Sequence, residues 1–361
     1  MNTMLRETGS SQRVEAYLRR AAAQAGDGQR LPSVREVMAV CSATKTEVDR
    51  VLTRLANEGL IECRPRSGFY RLNGTAVQPR LLNVLYFDLA EGFKPGNFSN
   101  EFTGYLAGRL AQGAAALRVR VMELEANPEA VVEEILRQGS QPVLTYGITM
   151  HDLRIIEPLV RNGATCLHVF PNIVELIAPC LAVDEERVVR DQVEHLVGLG
   201  HRRIAYLHGI RNDSYHRGQY LRRDWFYRLC VEFNLDVRPE WVANVGWEND
   251  TIRAGVRRII KAQVQPTALI VYDNHINPVY AELKACGLTP GRNISVVGTD
   301  DMPWAAHVDP PLSTVRIPRV RAAEAALDML RRIETGQGRD EVRYLETHLV
   351  DRGSTSRCQE R

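Results

Sequence analysis

Lys45, Thr46 and Arg50 flank an apolar stripe formed by Val48, Val51 and Leu52. A helix so patterned offers polar side chains to base edges and cations to phosphates. Ser33 and Arg35 lie a short way upstream, where a hydroxyl, a guanidinium and helix N-terminal amides can meet a phosphate. Arg66, Ser67 and Gly68 follow; an arginine beside a turn glycine suits a hairpin tip entering a minor groove. Farther along, Asp88 and Tyr146 close apolar runs and Trp304 offers an indole face. Such groups suit the hydroxyls and ring faces of a sugar held at strand ends. Bond-making chemistry is not signalled. His151, His168, His208, His216 and His275 show no paired metal spacing, and there is no GxSxG elbow, P-loop or GxGxxG. His201, at a helix-to-strand turn, reads as a structural hydrogen-bonding residue. Neither a metal nor a cofactor is expected.

These residues need elements to hold them. Val14, Tyr17, Leu18 and Ala21 recur at helical spacing over 13–24, and a glycine loop at 26–28 ends that helix. Ser33 with Glu36, and Thr44 with Glu47, are two successive capping-box pairs, each opening a helix. The second of these runs through Leu55 and stops at Gly59. Residues 60–64 and 69–72, joined by Pro65-Arg66-Ser67-Gly68, read as a hairpin. Two short helices and a hairpin make a winged helix-turn-helix over 1–72. The polar stretch 73–80 is a linker. From 81 onward, strand candidates at 82–87, 142–146, 166–170, 203–207, 268–272 and 294–297 alternate with helix-period segments such as 127–138 and 186–199. That alternation predicts an α/β domain over 81–361, with two doubly wound lobes and a cleft at the strand ends.

Bulk properties fit this reading. A 361-residue chain that is 44% hydrophobic and 25% charged is globular and longer than one ordinary domain. Net charge is +2, yet residues 1–75 hold twelve Lys/Arg against eight Asp/Glu, so the basic surplus sits at the N-terminus. No apolar run is long enough to span a membrane, and MNTMLRETGSSQ has no apolar core of a leader, so a cytoplasmic location is expected. The seven cysteines are scattered, as reduced thiols would be.

Two resemblances add to this. Leu31-Pro32-Ser33-Val34-Arg35-Glu36-Val37 resembles the LPSxRxLA motif of GntR-family regulators, Ala43 to Val48 their VSRTTV, and Leu55 to Ile61 their LxxEGLI. Arg66-Ser67-Gly68-Phe69-Tyr70 falls on that family's wing. Glu47 and Asp49 stand where threonine and a basic residue are common; acids facing phosphate cost binding, so either they point away or the site is unusual. Leu199-Gly200-His201-Arg202-Arg203-Ile204-Ala205 resembles the LGHRRIA signature of LacI-family sensor domains. Pro266 to Ile270, Ile294 to Asp301, Pro310 to Val315 and Arg352 to Thr355 resemble four further motifs of that family, in order. Together the two halves resemble the arabinose-repressor class of regulators.

The LacI resemblance implies a periplasmic-binding-protein-like sensor. Its first lobe would take about 81–181 and 316–341, and its second about 182–315 and 342–361. It implies that Arg222 contacts the effector, although Trp225 replaces the usual glycine nearby. Asp273-Asn274 occupies an Asn-Asp pair with the order exchanged, which leaves open which of the two meets ligand. Asp300 falls on the ligand-facing Asp, with Thr299 in place of Phe, whereas Asp184 and Asp301 read as caps or braces. The expected partners are double-stranded operator DNA, a small effector such as a sugar, and a second copy of the chain. A metabolic enzyme with an appended reader domain is the first alternative, but lysines occur only at 45, 94, 261 and 284, and neither Lys261 nor Lys284 has the setting of a Schiff-base lysine. A transport solute-binding protein is the second; it would not carry a DNA reader.

Overall fold

The computed structural model describes residues 2–26, 28–57, 60–64, 67–71, 80–87, 98–112, 115–122, 125–138, 142–210 and 217–359. The chain divides into two units, residues 1–82 with 107–118 and residues 83–106 with 119–361.

In the first unit, α1 (Asn2–Gln24) buries Val14, Leu18 and Ala22, one residue every turn on a single face. α2 (Val34–Cys41) opens with the expected capping box: Ser33 Oγ accepts from Glu36 N, and the Glu36 carboxylate accepts from Ser33 N at 2.6 Å. α3 (Lys45–Asn57) repeats it, with the Glu47 carboxylate accepting from Thr44 N at 2.7 Å. Val48, Val51, Leu52 and Leu55 of α3 pack with the apolar faces of α1 and α2 into one core. The hairpin is β1 (Ile61–Arg64) and β2 (Gly68–Arg71), antiparallel. Residues 28–31 add a third edge to it, Leu31 N donating to Phe69 O and Arg71 N to Gln29 O, which binds the loop after α1 to the wing. The expected linker lies outside the described residues except for Arg80, which opens a strand.

In order, the remaining elements are β3 (Arg80–Tyr86), α4 (Phe98–Gln112), β4 (Ala115–Val121), α5 (Pro128–Arg137), β5 (Val143–Tyr146), α6 (Leu153–Arg161), β6 (Cys166–Val169), β7 (Cys180–Val183), α7 (Glu185–Gly198), β8 (Ile204–Gly209), α8 (Arg217–Glu232), β9 (Val242–Val245), α9 (Asn249–Ile260), β10 (Ala268–Ile270), α10 (Ile276–Ala285), β11 (Ser295–Asp300), β12 (Ser313–Arg316), α11 (Arg319–Glu334), β13 (Val342–Leu345) and β14 (His348–Val350). Two six-stranded sheets result, ordered β13-β7-β6-β5-β3-β4 and β14-β12-β11-β10-β8-β9. Their central pairs are parallel, and β12–β14 is antiparallel. Central strands are buried on both faces, which explains why they are mostly apolar along their whole length. The chain changes sheets between β7 and α7, between β12 and α11, and between β13 and β14.

One boundary needs correction. Residues 342–345, expected in the second lobe, pair with β7 as the parallel edge of the first sheet. Alternation in Val342-Arg343-Tyr344-Leu345 predicts a half-exposed strand but cannot say which sheet it joins. Among the described residues, no helix is long and apolar enough to cross a membrane, and no cluster of three His, Cys, Asp or Glu could hold a metal. All seven cysteines are free.

Candidate functional site

At the C-terminal ends of the strands of both sheets lies a cavity of about 160 Å³. Tyr146 ends β5, Phe170 and Asn172 follow β6, Glu185 follows β7, and Trp247 follows β9. Tyr272 and Asn274 follow β10, Asp300 ends β11, and Arg217, Gln219 and Arg222 come from α8. Crevices beyond carboxyl strand ends are where open parallel sheets gather ligand groups, because the loops there converge. Of the expected sensor residues, Tyr146, Arg222, Asn274 and Asp300 meet in this cavity.

Arg222 is its electrostatic centre. The side chain is buried, its Nε donates to Glu185 Oε2 at 2.5 Å, and its Nη1 stands 3.6 Å from Asp300 Oδ1. The Tyr272 ring lies beneath it, 5.7 Å from centroid to Cζ. Burial disfavours the guanidinium's charge, but the two carboxylates outweigh it and hold the proton more tightly than usual. For Glu185 the balance is reversed: burial raises its proton affinity, against the pull of Arg222.

The backbone under Asp300 is unusual. Asp300 and Asp301 have φ of 100° and 52°, left-handed values that non-glycine residues rarely adopt. Arg319 holds them there, donating to Asp301 O at 3.0 Å and Asp300 O at 3.2 Å. The Asp301 carboxylate pairs with Arg316 and, at 2.6 Å, with Arg352. Asp301 is therefore a brace, and Asp184 caps α7 through Arg187 N, as both were read.

Of the Asp273-Asn274 pair, Asn274 lines the cavity and Asp273 does not. Asp273 is fully buried behind the cavity wall, accepting from Met302 N and Thr314 Oγ1 at 2.9 Å each. Burial, reinforced by Asp300, raises its pKa well above the usual carboxylate range. Trp304, expected to stack on a ring, does not line the cavity; its Nε1 donates to Asp273 O at 3.2 Å and its body packs on the second lobe's core. Asp88 lies outside the described residues.

Sequence reading missed Glu185, Arg217, Trp247 and Tyr272. Arg217 reaches from the second lobe to the first, donating to Ile173 O at 3.2 Å and Val174 O at 2.5 Å across the cavity mouth. The first-lobe wall is aromatic, with Tyr146 tilted against Tyr86 at 4.8 Å between ring centroids and edge-on to Phe170 at 5.6 Å. Ring faces, amides and an Arg–carboxylate cluster are fitted to a compact polar ligand with an apolar face. His201 takes no part; it ties Thr267 and Ser295 hydroxyls together at 2.9 and 2.8 Å.

In the first unit, Arg35, Lys45, Thr46, Arg50 and Ser67 are exposed, Ser33 and Gly68 are half-buried, and Arg66 lies outside the described residues. Gly68 has φ of 115°, a turn conformation closed to most side chains. Glu47 turns inward to Thr44 and Ser10, consumed by capping. Asp49 stays on the outer face and pairs with Lys45 at 3.2 Å.

Fold and cavity together define a two-lobed periplasmic-binding-protein-like domain that follows a winged helix-turn-helix in the chain. Residues 193–355 match the model of the periplasmic binding protein-like domain, and residues 10–70 that of bacterial regulatory proteins, gntR family. The HTH-type transcriptional repressor PurR of Aliivibrio salmonicida is 26% identical over 138 residues, 38% of this chain and 40% of that one. The arabinose metabolism transcriptional repressor of Geobacillus stearothermophilus is 26% identical over 207 residues, 55% of this chain and 53% of that one. In these alignments the chain spans about half the length of its curated relatives. The lac repressor dimer bound to operator and an anti-inducer shares the fold at a TM-score of 0.65 and 21% identity, covering 78% of this chain and 95% of that one. A LacI-family regulatory protein from Chloroflexus aggregans does so at 0.66 and 20%, covering 76% and 98%.

Proposed function

We propose that this chain is a cytoplasmic, non-enzymatic transcriptional repressor that binds operator DNA as a homodimer and is controlled by a small polar effector in the inter-lobe cavity. The observation carrying this is the Glu185–Arg222–Asp300 cluster, which draws on α7, α8 and β11 beside an aromatic wall of the other lobe. Buried charges this close to a cavity mouth favour a ligand whose hydroxyls or amides satisfy their remaining valences. A sugar does so while its ring faces meet Tyr146, Phe170 and Trp247. Ligand that spans both lobes prefers one lobe arrangement, and only such a preference can change DNA affinity.

DNA reading falls to Lys45, Thr46 and Arg50 on the exposed face of α3, with Ser33 and Arg35 at α2 and Arg66, Ser67 and Gly68 at the wing. Two copies provide the symmetry that palindromic half-sites require. The relatives named above are repressors, which supports the direction of control.

Gel-shift of the full chain on its own upstream DNA, across a panel of sugars and nucleosides, tests the reading. A retarded complex whose affinity changes with one compound is expected. No complex, or a complex indifferent to every compound that calorimetry shows to bind, would count against it.

A further inference from the structure

A second cavity, of about 150 Å³, opens at the opposite end of the second sheet, where β8, β10 and β11 begin. Arg203 enters it just before β8, Arg292 before β11, and Arg357 from the C-terminal segment. Its floor is polar: Thr267 and Ser295 are tied by the buried His201, and Ser356 O accepts from both His201 and Ser295. Among the described residues no Asp or Glu lines it.

Many arginines of this unit are neutralised by a nearby acid. Arg222, Arg257, Arg316, Arg332, Arg343 and Arg352 each lie against a carboxylate. Arg203, Arg292 and Arg357 converge on one small cavity, and none forms an ion pair among the described residues. Like charges gathered without counter-charge repel, and an anion entering between them removes that cost. Guanidinium forks match the oxygens of a phosphoryl group, which also brings more than one negative charge at neutral pH. A cavity of this size admits one such group, whereas duplex DNA presents its phosphates as a row and asks for an extended strip.

We propose that this basic cavity binds a small phosphorylated metabolite through its phosphoryl group, at a site separate from the inter-lobe cavity. The inference stands apart from the regulator reading, since it needs neither operator DNA nor a cleft ligand.

Isothermal calorimetry on the full chain tests it with inorganic phosphate, glycerol 3-phosphate and glucose 6-phosphate, each against sodium chloride of matched ionic strength. Saturable binding is expected, with Kd on the order of 1 mM or tighter. Arg203→Gln, Arg292→Gln and Arg357→Gln, each checked for native circular dichroism, are expected to weaken it tenfold or more. Among the described residues these arginines carry no ion pair, so their loss leaves no buried carboxylate there stranded. Tighter binding of an ester than of phosphate supports an organic ligand; equal binding supports the same site with free phosphate as occupant. The proposal is overturned by any of three results: no saturable heat, affinities unchanged in all three variants, or loss in the variants of duplex DNA binding alone.

Discussion

Arg222 illustrates how a residue's role depends on what surrounds it. Its position in the sequence implied contact with an effector, and the structure adds that it neutralises buried Glu185. Removing one member of a buried pair leaves the other charged in a poor dielectric. Arg222→Ala is therefore expected to cost about 3–5 kcal/mol in urea unfolding, whereas Arg222→Met with Glu185→Leu recovers most of that. Neither variant should respond to the effector. Full stability of the single variant would show that Glu185 is not held by Arg222. On α3, Asp49 offsets Lys45. Asp49→Asn frees that cation, so affinity for random duplex should rise and the log–log salt slope steepen by about one unit. Anisotropy titrations over a salt series measure both, and an unchanged slope would mean that Lys45 does not face phosphate.

At the scale of elements, caps and glycines set the boundaries. Ser33→Ala and Thr44→Ala each remove an N-cap acceptor and should lower the first unit's stability by about 1 kcal/mol. Gly298 in β11 faces a harder limit. A Cβ there would stand 2.0 Å from Asp273 Oδ1 and 2.6 Å from Leu312 Cδ2. Gly298→Ala must push aside the carboxylate that braces Met302 and Thr314, so a loss of about 1–3 kcal/mol is expected, with the thermal transition as readout. A wild-type transition would show that the wall behind Asn274 can yield.

The whole molecule adds a pH dependence. His208 and His275 are fully buried, their ring nitrogens have no hydrogen-bond partner among the described residues, and burial lowers both to about 4. Around them stand Tyr206, Tyr220, Trp247 and Tyr272, with Arg223 and His208's neighbour His275 opposing a positive charge on His208. The folded values lie below the ordinary 6.5, so between 6.5 and about 4 the unfolded chain binds protons that the folded chain refuses. Their contribution is complete above 6.5 and is lost as pH falls through that window. Each histidine should add ~1 kcal/mol per pH unit to the acid limb, and His208→Leu with His275→Leu should flatten it. An acid limb equally steep in the double variant would place these imidazoles in contact with water. The coupling proposed between cleft and DNA belongs to this scale too. A ligand preferring one lobe arrangement by roughly 1–3 kcal/mol shifts operator affinity about 5- to 150-fold. Parallel binding curves with and without the active compound read that shift directly.

What could be read from sequence was local. The capping pairs Ser33/Glu36 and Thr44/Glu47, the Asp184 cap and the apolar periods of α3 and the parallel strands depend on neighbours within a turn or a strand, so residue order contains them. Tyr146, Arg222, Asn274 and Asp300 were legible because strand ends and family motifs mark them. Glu185 stands just ahead of the helix-period segment 186–199, where nothing local marks it; its pairing with Arg222 spans 37 residues and exists only once α7 and α8 pack together. Which of Asp273 and Asn274 faces the cavity depends on the path of the chain leaving β10, and the sheet that claims β13 on which edge is open. Residue order set the elements and their caps. Burial and long-range charge pairing, which arise only when distant segments share one low-dielectric interior, decided which side chains meet.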